Sequence, residues 1–174
     1  GNYSVNVSSN NDFMDNNSMF FNSTEDLIIL EDFWLDYNGS SFSIQVETDL
    51  SDVGEIICMP YPHICFGIAP AGVMSFPICS GDTNEPSVYF QIRSSSCWHI
   101  ISYPIALIEN ENNCLVNIAA EFDSNSNEIR LYIDGELVVF DEIDFNVYDA
   151  SYALGDDVYI GANTDGDPNY LYSG

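Results

Sequence analysis

The sequence predicts an all-β protein made of two antiparallel sheets packed face to face. Apolar and polar residues alternate with a period of two along several short segments, which is the pattern of half-buried strands. Gly, Asn and Asp separate these segments, and they are the residues that favour tight turns. No segment carries a convincing helical stripe, so many short strands joined by turns indicate a two-sheet sandwich.

The alternating segments follow one another along the chain. SFSIQVET at 41–48 and SVYFQIRS at 87–94 each place apolar residues on one face, and DVYIGA at 157–162 adds a shorter segment. YPIALIENENN at 103–113 has room for one short helical turn at most. The apolar residues that share a face in these strands are Phe42, Ile44, Val46, Val88, Phe90, Ile92, Val158 and Ile160. In the second segment they alternate against Tyr89, Gln91 and Arg93.

A β-hairpin is the clearest local prediction. EIRLYIDGELVVF at 128–140 alternates Ile129, Leu131 and Ile133 with polar residues before Asp134-Gly135. Asp-Gly between two alternating apolar runs favours a two-residue turn, because both turn positions require positive φ. The chain then returns from Leu137 onwards as the second strand of the hairpin.

The charge of the chain restricts its partners. Of 174 residues, 28 are acidic, and Arg93 and Arg130 are the only lysine or arginine residues, which gives a net charge of −26. Nucleic-acid binding and phosphoryl transfer both need clustered cations, so neither is predicted. No apolar run approaches the roughly 20 residues that span a bilayer, so no membrane insertion is expected. The favoured partners are cations, Ca²⁺ above all, and neutral glycans.

Sequons and cysteines together favour a secreted glycoprotein. Asn-x-Ser/Thr sequons begin at Asn2, Asn6, Asn16, Asn22 and Asn38. Five cysteines allow at most two bridges within the chain and leave one thiol that is either buried or bonded to another chain. The turn at Pro60 and Pro62 can bring Cys58 to Cys65, and Cys79 with Cys97 is the second expected pair. Their spacings lack C-x-x-C pairs, so no zinc site is predicted.

Two regions of the chain resemble the concanavalin-A-like jelly rolls of the laminin-G and pentraxin type. NIAAEFDSNSNEIRLYIDGELV and LGDDVYIGANTDGDPNYLYSG follow that family's order of an acidic-ended strand, a YxDG hairpin and a YIGAN-DG segment. MFFNSTEDLIIL and SFSIQVET are similar to its opening strands. The resemblance covers 115–174 and, more weakly, 19–48. It implies a jelly-roll domain over 18–174, preceded by an Asn/Ser-rich lead at 1–17.

The resemblance implies a ligand-binding sheet or edge loop, often with Ca²⁺. ANTDGDPNY supplies Asn163, Asp165 and Asp167 as oxygen ligands at alternate positions, against the alternative of a plain Asp-Gly turn. Four aromatic residues are candidates for stacking on sugars, although each is also a candidate core residue: Trp34, Tyr37, Trp98 and Tyr103. This interpretation is a calcium-dependent carbohydrate- or protein-binding module.

A second interpretation makes the chain a structural subunit of an extracellular fibre or surface layer. The resembled fold continues with one further strand beside its first strand, and this sequence ends before it. NYSVNVSS, with Tyr3, Val5 and Val7 alternating, has the pattern of a spare strand. Inserted into another copy of the chain, it would fill the vacant edge and build a filament. The alternatives are that it folds back into its own domain, or that the chain is a fragment of a longer protein.

No enzymatic activity is predicted. DEIDF at 141–145 resembles the catalytic strand of laminarinase-type hydrolases, with Glu142 as nucleophile and Asp144 as supporting residue. The general acid's position holds Asn146, whose amide cannot protonate a leaving group. The acidic strand of those enzymes also precedes their YVDG hairpin, whereas here it follows.

The sequons give the first testable prediction. Protein from its native source is expected to carry sugar on at least two of Asn2, Asn6, Asn16, Asn22 and Asn38, because the sequons cluster in the first 40 residues of a cysteine-containing chain. Intact mass before and after treatment with an endoglycosidase measures it. A native chain of unmodified mass would contradict the prediction.

Overall fold

The computed structural model describes residues 5–8, 14–15, 18–19, 27–30, 41–48, 50, 53–59, 64–71, 78–81, 84–93, 97–108, 115–143 and 158–161. The structure describes the backbone alone at residues 5–8, 14–15, 18–19, 27–30, 59, 78–79 and 93.

Strands dominate these residues, as the alternation predicts. A three-residue 3₁₀ turn, Ile105–Leu107, lies where the sequence leaves room for one helical turn. No helix in the described ranges is long and apolar enough to cross a membrane. The strands are β1 (Val5–Ser8), β2 (Met14–Asp15), β3 (Ser18–Met19), β4 (Leu27–Leu30), β5 (Phe42–Thr48), β6 (Gly54–Met59), β7 (Ile64–Ala69), β8 (Ile78–Ser80), β9 (Ser87–Arg93), β10 (Trp98–Pro104), β11 (Val116–Asp123), β12 (Glu128–Ile133), β13 (Glu136–Glu142) and β14 (Val158–Ile160).

The strands form two main sheets. The larger has eight strands in the order β1-β4-β14-β6-β7-β9-β10-β8, and the smaller has four in the order β13-β12-β11-β5. β2 and β3 form a separate two-stranded ladder. Every described ladder in the two main sheets is antiparallel except that between β8 and β10, which is parallel. The predicted all-β, two-sheet sandwich is confirmed, with this one parallel pair as the exception.

The core lies between the two sheets. Phe66 and Phe90 from the eight-stranded sheet meet Phe42 and Phe122 from the four-stranded sheet. Phe42 stands edge-on to Phe90, with ring centroids 6.2 Å apart, and its centroid lies 5.9 Å from that of Phe122. The edge-on contact is an arrangement that aromatic quadrupoles favour. The predicted inward residues that are fully or almost fully buried here are Val88, Phe90, Ile92, Ile129, Leu131, Ile133 and Val158.

The outer face of the eight-stranded sheet is also buried at β7 and β9. Tyr89 and Gln91, which alternate against the core residues of β9, are 6% and 4% exposed. On β7 the positions between the large core residues hold Cys65, Gly67 and Ala69, and all six residues of this strand are buried. Strands covered on both faces carry continuous apolar or small residues instead of an alternation. The alternation of β9 therefore identifies its core face correctly but does not reveal that its other face is also buried.

The Asp134-Gly135 hairpin forms as predicted. Asp134 has φ 48° and Gly135 has φ 81°, the two positive values that a type I′ turn requires. The turn is also fastened to the neighbouring strand β11. The Asp134 N–H donates to the carbonyl oxygen of Asn117 at 2.7 Å, and the Asn117 N–H donates to Asp134 Oδ1 at 2.9 Å.

The N-terminal strand completes the edge of the larger sheet within its own chain. β1 pairs antiparallel with β4, with Val5 opposite Leu30 and Ser8 opposite Leu27. This is the self-filled alternative to strand exchange. Tyr3 lies outside the described residues, and Val5 and Val7 are described by their backbone positions. Insertion into another copy stays a prediction.

Gly67 and Gly135 are required for different reasons, and this difference can be tested. A Cβ at Gly67 would lie 2.3 Å from the Gly54 carbonyl oxygen and 2.9 Å from Glu55 Cα, so Gly67→Ala forces backbone movement. We expect it to lower the free energy of unfolding by about 1–3 kcal/mol in urea denaturation. The control is Gly135→Asn, which meets open space and tolerates positive φ, and should cost less. Equal losses in the two variants would contradict the assignment.

Candidate functional site

A small polar surface lies on the outer face of the four-stranded sheet. Its floor is Ala119 in β11, which pairs with Gln45 of β5 on one side and Tyr132 of β12 on the other. Asn117 and Glu121 are two residues away along β11 and therefore share this face. The intervening residues Ile118 and Ala120 are fully buried in the core. We call Gln45, Asn117, Ala119, Glu121 and Tyr132 the Ala119 surface.

Hydrogen bonds within the Ala119 surface fix its polar groups in place. Gln45 Nε2 donates to Asn117 Oδ1 at 3.0 Å, and the Tyr132 hydroxyl donates to Glu121 Oε2 at 2.7 Å. The bond to Glu121 also raises the pKa of Tyr132. Gln45 Oε1 and Asn117 Nδ2 have no partner within the described part of the chain. One acceptor and one donor are thus held in defined positions, and no described residue bonds to them.

Arg130 offsets part of the negative charge at the acidic end of the same face. It forms ion pairs with Glu121 at 3.3 Å and Asp123 at 3.5 Å, and it also pairs with Glu128. The hydrogen bond to Glu128, more than any other contact, raises the pKa of Arg130. Asp123 and Glu128 lie directly opposite each other, which is destabilising for like charges. Arg130 offsets this repulsion, so its charge is fully engaged by its neighbours.

The turn after β11 is ordered by one carboxylate. Asp123 accepts hydrogen bonds from the backbone N–H of Asn125 at 2.9 Å and from the hydroxyls of Ser126 and Ser41. These bonds, the one from the Asn125 backbone first, lower the pKa of Asp123 to about 2. Asp123 therefore has a structural role. The hydrogen bonds that it accepts hold the turn after β11 in place, next to the Ala119 surface.

Two exposed apolar side chains border this polar surface. Phe140 and Leu137 in β13 are 56% and 49% exposed and lie opposite Arg130 and Tyr132 respectively. Sugar rings present hydroxyl groups at their edges and C–H groups on their faces. The amide acceptor and donor offer partners to the hydroxyl groups, and the exposed side chains of β13, on the far side of β12, offer apolar contact to the C–H faces.

A buried carboxyl group lies on the outer face of the eight-stranded sheet. Glu55 is 7% exposed and accepts a hydrogen bond from the Tyr89 hydroxyl at 3.4 Å, and Oε2 has no hydrogen-bond partner among the described residues. Burial raises the pKa of Glu55 to about 7, against a smaller opposing effect from Tyr89. Cys58 and Cys65 lie beside it, directly opposite each other in β6 and β7, and are joined by a disulfide. This is the first pairing expected from the sequence.

A third polar group joins the two sheets at one edge. Ser80 of β8 donates its hydroxyl proton to Asp141 Oδ2 at 2.8 Å and lies 3.2 Å from His99 Nδ1. Burial lowers the pKa of His99, although Asp141 acts in the opposite direction. In a catalytic triad the histidine lies between serine and aspartate and takes the serine proton. Here Ser80 lies between His99 and Asp141 and donates its proton to the carboxylate. The arrangement is therefore that of a structural link between the two sheets.

The structure describes some of the other candidate residues from the sequence but not all of them. Cys97 is disulfide-bonded, and the side chain of Cys79, its expected partner, is not described. Trp98 is buried and Tyr103 packs against the core, so both take the core alternative. Glu142 ends β13 and is exposed, whereas Asp144 and Asn146 lie outside the described ranges. Also outside them are Trp34, Tyr37, Cys114, Asn2, Asn16, Asn22, Asn38, Asn163, Asp165 and Asp167; Asn6 lies in β1.

The fold is shared with solved jelly-roll structures. The CBM40 of the Ruminococcus gnavus IT-sialidase, bound to α2,3-sialyllactose, matches 77% of this chain and 69% of its own at 15% identity, with a TM-score of 0.52. Domains LG4-5 of the mouse laminin α1 chain match 88% of this chain and 37% of theirs, at 11% identity and a TM-score of 0.55. The botulinum neurotoxin serotype G binding domain matches 91% of this chain and 38% of its own, at 16% identity and a TM-score of 0.56.

These similarities establish the fold class. The chain is a laminin-G-like jelly-roll sandwich, as its hairpin and YIGAN segment indicate. No family model matches the sequence, and no curated protein matches it.

Glu55 makes stability depend on pH. The unfolded chain releases this proton near pH 4.5 but the folded chain holds it to about pH 7, so the stabilisation is full below 4.5 and is lost as pH rises through 7. The loss is about 3 kcal/mol at 1.36 kcal/mol per pKa unit. Glu55→Gln should flatten this part of the profile measured by urea denaturation from pH 4 to 8. The control is Glu142→Gln, at an exposed position; if both variants keep the wild-type slope, Glu55 is not its source.

Proposed function

We propose that this chain is a non-catalytic, extracellular carbohydrate-binding module that binds neutral glycans at the Ala119 surface. The observation that carries the proposal is the placement of Gln45 Oε1 and Asn117 Nδ2 around a methyl floor, with Tyr132 directly opposite Ala119 on the neighbouring strand. A side chain as small as Ala119 lets a sugar approach the sheet, where both amides can bond its hydroxyls. The amides are already ordered by their own hydrogen bond, so little entropy is lost on binding.

The charge of the surface favours a neutral ligand. Arg130, which lies opposite Glu121 on this face, is already paired with Glu121, Asp123 and Glu128. An acidic sugar would therefore meet unbalanced carboxylates in a chain of net charge −26. The R. gnavus module is bound to sialyllactose, an acidic sugar. We accordingly place the specificity of this chain among uncharged oligosaccharides.

Disulfide bonding supports an extracellular location. Cys58 and Cys65 are bonded to each other and Cys97 is also disulfide-bonded, and such bonds persist in oxidising compartments. The sequons agree with this location. The calcium-dependent form of the proposal rests on Asn163, Asp165 and Asp167, as their sequence pattern suggests.

The structural-subunit interpretation has less support. It needs a vacant sheet edge beside β4, and in this structure β1 of the same chain lies there. Catalysis likewise has no described pair of carboxylates flanking an open cleft to support it. Binding is therefore the function that the described surface favours.

Filling the floor tests the binding site. Ala119→Leu places a branched side chain where the sugar would approach, and Asn117→Ala removes a ligand donor. On an array of neutral and acidic glycans, we expect wild-type protein to bind neutral oligosaccharides. Each variant should weaken that binding about tenfold or more, because removing one polar partner in a binding site costs about 1–3 kcal/mol.

The matched control is Glu142→Gln, which changes an exposed residue of β13 on the same sheet. It should leave glycan binding unchanged, and circular dichroism should show that all variants are folded. Wild-type binding that survives Ala119→Leu would place the site elsewhere on the molecule. Binding to no glycan at all, or to acidic glycans alone, would overturn the proposal.

A further inference from the structure

We propose that Glu55, Cys58 and Cys65 form a zinc site in the dithiol state of this protein, and that the disulfide and the metal are alternative occupants of one place. Glu55 Oε and the two Sγ atoms all lie within 4.8 Å of one another. Two thiolates and a carboxylate are a donor set that Zn²⁺ accepts. The site lies on the eight-stranded sheet, away from the Ala119 surface, and does not depend on the carbohydrate-binding proposal.

The strand pairing supplies the two sulfur ligands. Cys58 and Cys65 face each other across β6 and β7, with Cα atoms 4.2 Å apart, so their side chains leave the same face at the same level. Tetrahedral Zn²⁺ holds its ligand atoms about 3.6–3.8 Å from one another, given Zn–S and Zn–O bonds of about 2.3 and 2.1 Å. Rotation of the two cysteine side chains after the S–S bond opens can provide this separation.

Glu55 supplies the independent observation. It is a carboxyl group at 7% exposure whose Oε2 has no hydrogen-bond partner in the part of the chain that the structure describes, and Oε1 has the Tyr89 hydroxyl at 3.4 Å. Leaving a buried polar atom unpartnered costs about 1–3 kcal/mol. A metal ion at the sulfur atoms would give Oε2 a ligand role and remove that cost. Three protein ligands leave a fourth coordination position open.

The change of state balances as a two-electron exchange. An external dithiol transfers two electrons and two protons to the Cys58–Cys65 bond and is itself oxidised to a disulfide. Binding of the divalent ion then displaces the two thiol protons and any proton on Glu55. Oxidation by a disulfide reagent reverses the sequence and releases the ion.

Cadmium titration of the full chain tests the site, because Cd²⁺ bound to thiolate gives an ultraviolet charge-transfer band that surface carboxylates cannot produce. We expect protein reduced with a phosphine to bind one Cd²⁺ with this band and oxidised protein to show none. Glu55→Gln should weaken binding about tenfold or more, since even outer partners of metal ligands are worth that much. Cys58→Ser/Cys65→Ser should abolish the band.

The controls test Cys114 and an exposed carboxylate as alternative ligands. Cys114→Ser keeps the pair and should keep the band, and Glu47→Gln, at an exposed position of β5, should keep the affinity. Glu55→Gln retains both cysteines, so it decides the matter even if the double cysteine variant does not fold. Reduced wild-type protein without the band, a band that survives loss of Cys58 and Cys65, or unchanged affinity in Glu55→Gln would each overturn the proposal.

Discussion

Contact between the phenylalanine side chains of the two sheets is the interaction on which the rest of this structure depends. Phe66 and Phe90 meet edge-on with centroids 6.4 Å apart, and Phe42 joins them to Phe122 of the smaller sheet. Each buried side chain of this size contributes about 1.5–3 kcal/mol relative to exposure. This apolar contact opposes the mutual repulsion of a chain with 28 acidic residues.

The polar surfaces are arranged around that core by strand alternation. Because Ile118 and Ala120 point inward, Ala119 and its neighbours Asn117 and Glu121 must point outward. On the other sheet, a bulge between Glu55 and Ile57 keeps Glu55 on the outer face while Ile56 packs in the core. The proposed sugar surface and the buried carboxyl group thus lie on opposite outer faces of one sandwich, and their chemistry differs because one face is open and the other covered.

The sequence predicted the fold from local signals and missed the sites that arise from pairing between distant strands. Neighbouring residues determine the alternation in β5 and β12, and they also determine the Asp134-Gly135 turn. Both features can therefore be predicted from the sequence. The Ala119 surface needs Gln45 beside Asn117, which are 72 residues apart. Cys58 and Cys65 were expected to pair, but the absence of C-x-x-C spacing argued against a metal site. Glu55 lies beside the two cysteines only because of the pairing register of β6 and β7. That register includes a bulge, which residue spacing does not predict.

The position of β14 has a consequence for the order in which the protein forms. This three-residue strand pairs with β4 on one side and β6 on the other, so it joins the N-terminal part of the larger sheet to the remainder. Ladders between strands so distant in sequence are slow to form, because a long loop must close first. During synthesis, β1 and β4 emerge early but lack their link to β6 until residues 158–160 have been made. Until then the nascent chain exposes unpaired strand edges, and this interval is when it most needs protection from association with other chains.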